Sequence, residues 1–107
     1  MEAIPREIVL CATDEGNEPF TEWLNTIKDA KTTAIILKRI GRVGDGNFGD
    51  VEPVGEGVSE LKIDFGPGYR VYFGQIAYEV HIISGGKKDT QAADIKAAKI
   101  FWSNYAK

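Results

Sequence analysis

Residues 61–73 read LKIDFGPGYRVYF. Leu61, Ile63 and Phe65 alternate with Lys62 and Asp64, and Tyr69, Val71 and Phe73 alternate with Arg70 and Tyr72. A period of two places successive side chains on opposite faces of an extended chain, so each run predicts a strand. Between them stands Gly66-Pro67-Gly68. Proline fixes one φ and the flanking glycines accept positive φ, which predicts a turn and joins the runs as an antiparallel hairpin. Working outward, Val51 and Val54 predict a short extended piece that ends at Gly55-Glu56-Gly57. On the other side, Gly74-Gln75 reads as a second turn leading into residues 77–84, where Val80 and Ile82 alternate with Glu79, His81 and Ile83. Gly85-Gly86 reads as the end of this meander.

The flanks are helical. Phe20, Trp23, Leu24 and Ile27 recur at the spacing of one helix face, with Pro19 suited to the first turn. Asp29 can cap a second helix, whose expected buried stripe is Ile36, Leu37, Ile40 and Val43 and which stops at Gly44 and Gly46. So short a join predicts a helical hairpin. Asp89 or Thr90 opens a last helix with Ile95, Ala98, Trp102 and Tyr105 on one stripe. Ile8, Val9 and Leu10 predict a first strand over about residues 6–12. The order β-α-α-β-β-β-β-α predicts an α+β fold: a twisted, largely antiparallel sheet packed on its apolar face by the helical hairpin and the C-terminal helix.

With 107 residues, 43% of them hydrophobic, the chain fits a single domain, residues 1–107, with a core that needs no metal or disulfide. No apolar run approaches the roughly 20 residues that span a bilayer, and no secretion signal is visible. The one cysteine, Cys11, has no partner and reads as a small buried apolar side chain. These features fit a cytoplasmic protein. The net charge of −3 argues against nucleic-acid binding by the molecule as a whole, but residues 1–55 carry −4 and residues 56–107 carry +1.

If Leu61, Ile63, Val71, Phe73, Val80 and Ile82 face the helices, then Lys62, Asp64, Arg70, Tyr72, Glu79 and His81 share the opposite, open face. Lys87 and Lys88 follow the last strand. Cations beside an aromatic ring are what a phosphodiester and a stacked base require. A solvated sheet face with routine charges is the competing reading of the same pattern.

Residues 46–63 (GNFGDVEPVGEGVSELKI), 66–73 (GPGYRVYF) and 85–95 (GGKKDTQAADI) together resemble the RelE/ParE-like toxins of type II toxin–antitoxin modules. The HigB-related "addiction module killer protein" branch is the most similar, and the likeness runs over about residues 18–106 in consistent order. The resemblance implies a metal-independent endoribonuclease that cuts messenger RNA, on the ribosome in the RelE and HigB branches. It also implies a cognate antitoxin, often a helix-turn-helix protein encoded next door. No cofactor, metal or membrane is implied. Such cleavage needs a base for a ribose 2′-hydroxyl, cations for the charge on the phosphorus oxygens, and an acid for the leaving 5′-oxygen.

Carried over, the resemblance gives Arg70 transition-state charge, because a guanidinium stays protonated and grips two oxygens. It gives Lys62 orientation or deprotonation of the 2′-hydroxyl, if its pKa is depressed, and gives Lys87 and Lys88 the phosphates. Where the RelE branch carries a tyrosine, this chain reads Gln91-Ala92-Ala93-Asp94, which leaves Tyr72 or His81 as candidates to contact RNA in its place. The alternatives are a non-catalytic, ParE-like inhibitor of DNA gyrase and a module that binds antitoxin without activity.

Other patterns are weaker. Residues 44–49, GDGNFG, spell G-x-G-x-x-G but follow a predicted helix and precede none, so they make no dinucleotide site. No Cys/His set has zinc-ligand spacing.

Overall fold

A computed structural model describes residues 3–106. The elements are β1 (Glu7–Leu10), α1 (Pro19–Leu24), α2 (Ala30–Gly44), β2 (Val51–Gly55), β3 (Val58–Ile63), β4 (Tyr69–Ile76), β5 (Glu79–Lys87), a single 3₁₀ turn (Lys88–Thr90) and α3 (Gln91–Tyr105). This is the α+β order expected. The five strands form one mixed sheet in the order β1-β5-β4-β3-β2. β1 runs parallel to β5, and the other neighbours are antiparallel. No described helix is long and apolar enough to cross a membrane.

The period-two pattern sorts the strands' side chains as expected. Leu61, Ile63, Val71, Phe73, Val80 and Ile82 bury together with Phe20, Ile36, Ile40 and Val43 of α1 and α2. Asp29 caps α2: its carboxylate accepts from the Lys31 amide at 3.3 Å and the Thr32 hydroxyl at 2.7 Å. The stripe of α2 is narrower than its spacing suggested, since Leu37 stands 48% exposed. α1 ends at Leu24 and lies close against β5, in place of the expected tight helical hairpin with α2.

The main correction concerns α3. It does not join α1 and α2 but packs on the other face of the sheet, where Ala98 and Trp102 bury with Cys11, Val58, Tyr72 and Ile83. Alternation along a strand fixes which residues share a face; it does not say whether a helix covers that face. Two glycine sites read as punctuation are points of close approach instead. Gly74 lies inside β4, where a Cβ would collide with the Trp102 indole, and the turn falls later, at Ala77-Tyr78. Gly85 lies inside β5, where a Cβ would collide with Trp23.

A bulge sets the register beside the site. Phe73 pairs with Ile82 but Tyr72 pairs with Ser84, so β5 carries one extra residue. In consequence Gly86, not Gly85, stands opposite Arg70.

Candidate nucleic-acid interface

The ends of β3 and β4 and the Gly66-Pro67-Gly68 turn enclose a cleft of about 270 Å³. Three cations line it, Lys62, Arg70 and Lys88, together with two carboxylates, Asp50 and Asp64. The β-ladder explains the first pair: Lys62 and Arg70 are cross-strand partners. The turn explains the third, because the Lys88 amide donates to the Gly68 carbonyl at 2.9 Å and brings the 3₁₀ turn against the hairpin. Gly66 and Gly68 hold φ of 57° and 88°, the left-handed values this tight turn requires.

Arg70 is the cleft's innermost cation, 9% exposed. Its Nη1 donates to the Tyr69 carbonyl at 3.0 Å, while its Nε lies 3.8 Å from Glu60 Oε1 and has no hydrogen-bond partner among the described residues. Glu60 is a buried carboxylate, 1% exposed, and its Oε2 accepts from Gln91 Nε2 at 2.6 Å. The guanidinium therefore rests on an acid that α3 holds from behind. Glu60 and Gln91 were not singled out in sequence. The strand period does place Glu60 on the face of Lys62, but Gln91 reaches it only because α3 covers that face.

Lys62 donates to Glu52 at 2.8 Å. That hydrogen bond and the carboxylate's charge hold the ammonium above its ordinary pKa, and Glu52 is lowered in return. Lys62 is thus a stable cation and not the base considered for it.

Three further expectations are corrected. Tyr72 does not face RNA: it is fully buried beneath α3, and burial, reinforced by the Glu60 charge, raises its pKa. Its hydroxyl finds no hydrogen-bond partner among the described residues. His81 is 6% exposed, sharing hydrogen bonds with the Tyr105 hydroxyl at 2.8 Å and Glu79 at 2.9 Å. It sits five residues down β5 from Gly86, the partner of Arg70, or roughly 16 Å along the strand. Lys87 faces the opposite side of the sheet from Arg70 and lines a groove with Trp23 and Tyr69. The face expected to be open is open only at its end, where Lys62, Arg70 and Lys88 meet.

Cys11 is buried, and loss of water pushes its thiol up to about 11, so it is chemically quiet. Among the described residues no group of three or more His, Cys, Asp or Glu is placed to hold a metal ion.

A protein from Haemophilus influenzae, described as an uncharacterized protein, is 46% identical over 82 residues, which cover 76% of this chain and 83% of the relative. No family model matches the chain. No solved structure matches it.

Proposed function

We propose that this chain, which belongs to one family with the Haemophilus influenzae protein, is a toxin of the RelE/ParE type that cuts messenger RNA at the Arg70 cleft. The observation that carries this reading is the convergence of Lys62, Arg70 and Lys88 on one concavity in a chain whose net charge is −3. The β-α-α-β-β-β-β-α order is compatible with it.

The chemistry follows from what the cleft offers. A scissile phosphate seats against the guanidinium, which is backed by Glu60. The ribose 2′-oxygen attacks phosphorus, forming a 2′,3′-cyclic phosphate as the bond to the 5′-oxygen breaks. Asp50 and Asp64 are the carboxylates within the cleft from which the acceptor of the 2′-hydroxyl proton is drawn. Lys62, kept charged by Glu52, balances the growing negative charge, and the departing 5′-oxygen takes its proton from solvent. An antitoxin with an acidic segment would silence the site by occupying the same three cations.

Replacing Arg70 with Ala should lower RNA cleavage about 100-fold, as expected for loss of one transition-state donor. Growth arrest on induction and mapping of mRNA ends in cells measure it. An Arg70→Ala variant that cut mRNA as fast as wild type would refute the assignment. A second reading, the ParE-like gyrase inhibitor, gains from the burial of Tyr72 and His81, which leaves no aromatic or imidazole group among the described residues that line the cleft. Intact mRNA with DNA-damage signs on induction would favour it.

A further inference from the structure

Lys87 is separated from Arg70 by the sheet. It lines a groove of about 260 Å³ that also carries Lys28, with Trp23 and Tyr69 as walls. The Trp23 ring lies on the backbone of Gly85, tilted against Tyr69 at a centroid distance of 6.3 Å. Trp23 also lines the adjoining hollow beside Gly85 and Gly86, so its half-buried ring stands between two concavities. Asp29, the acid of the groove, is engaged in capping α2 through Lys31 and Thr32.

The groove and the Arg70 cleft are joined at the end of the sheet. Lys87 pairs with Tyr69, the residue before Arg70, and the next residue, Lys88, lines the Arg70 cleft. The Lys31 ammonium lies 5.9 Å from the Phe65 ring, at the base of the turn. Lys28 and Lys87 in the groove and Lys62, Arg70 and Lys88 in the cleft thus flank the Tyr69–Arg70 end of β4.

We propose that the Trp23 groove is a second nucleotide subsite, taking a nucleotide of single-stranded RNA that flanks the linkage held at Arg70. Its base stacks on the Trp23 indole and its phosphate sits between the Lys28 and Lys87 ammoniums. An aromatic platform beside two cations, with no rigid donor and acceptor array, accepts any base. The subsite rests on the proposed function and deepens it: the ligand is a strand several nucleotides long that passes over the end of the sheet, not a mononucleotide.

The test uses the full chain and two probes that lack the attacking 2′-hydroxyl, a 2′-O-methyl dinucleotide and a 2′-O-methyl hexanucleotide. Wild type should bind the hexanucleotide at least about 10-fold more tightly than the dinucleotide, the size of effect one stacked base supplies. The Lys28→Glu/Lys87→Glu variant should lose that advantage, and its log K against log salt slope should fall by about 0.7, one phosphate contact on a single strand. The hexanucleotide, not the dinucleotide, should quench tryptophan fluorescence, because the other of the two tryptophans, Trp102, is 7% exposed. Unchanged thermal unfolding of the double variant separates lost binding from lost fold. If the double variant keeps the hexanucleotide affinity and salt slope while Arg70→Ala loses them, the subsite is wrong and the Arg70 reading stands. If wild type binds neither probe and Arg70→Ala cuts mRNA as wild type does, the reading fails and the subsite with it.

Discussion

Arg70 and Glu60 form a pair whose two halves differ in how they could be found. Arg70 was legible because Gly-Tyr-Arg opens a strand after a turn, and alternation puts its side chain on the polar face. Its partner was not. Asp64 and Glu79 are as close in sequence or pattern, and only the register, with Glu60 opposite Tyr72 and Lys62 opposite Arg70, places Glu60 diagonally beside the guanidinium. The pair is buried on both sides, 11% and 1% exposed at the side chains. Removing one member leaves the other charge without compensation, so Glu60→Leu should lower unfolding free energy by about 3 kcal/mol. Adding Arg70→Met should recover most of that loss, because an apolar pair fills the same space without desolvated charge. Urea unfolding of the two single variants and the double variant closes the cycle. A Glu60→Leu protein as stable as wild type would mean that the carboxylate does not hold the guanidinium.

Among the elements, the strands were readable and their coverings were not. The alternation in β3, β4 and β5 assigned six core residues to the face of α1 and α2, where they lie. It could not reveal that α3 descends on the other face, because the stripe of Ile95, Ala98, Trp102 and Tyr105 fits either face. The signal that existed lay in Gly74, a glycine inside a β-period, which marks close approach of another group as readily as a turn. Tyr72 was lost to the site for that reason, and His81 for that reason and for its distance along β5. The start of α2 was read from a single residue, and its role has a pH signature. Hydrogen bonds from Thr32 and the Lys31 amide, offset only in part by desolvation, hold the Asp29 carboxyl below its usual pKa. A carboxyl lowered on folding stabilises above its unfolded pKa, and that contribution is lost as pH falls through the folded value. Asp29→Ala should therefore melt at a lower temperature than wild type at neutral pH, with the gap closing in acid. Equal melting temperatures at pH 7 would show that the cap contributes nothing.

At the level of the whole molecule, two charge patterns coexist. The surface is acidic in sum, yet cations gather round the turn between β3 and β4; composition shows the sum and only the fold shows the gathering. Within the core of the α3 face the pattern is reversed, since three weak acids are kept neutral there. Burial pushes the Cys11 thiol up to about 11 from 9.0. Burial also raises Tyr72, with the Glu60 charge adding to it, and raises Tyr105, with Cys11 adding to it. Each of these groups holds its proton longer in the folded chain than in the unfolded one. Above the unfolded thiol pKa the unfolded state binds fewer protons, so unfolding becomes easier as pH rises. Stability should hold level through neutral pH and then decline between about pH 9 and 11. Urea midpoints measured from pH 7 to 11 would trace the decline, and Cys11→Ala should make it shallower at its onset. The same burial predicts that a thiol-alkylating reagent at pH 8 labels Cys11 at the rate of unfolding and not at the rate of a free thiol. Labelling at the free-thiol rate, or a midpoint that does not fall up to pH 11, would mean that the α3 face is open to water and that Tyr72 is available to a ligand after all.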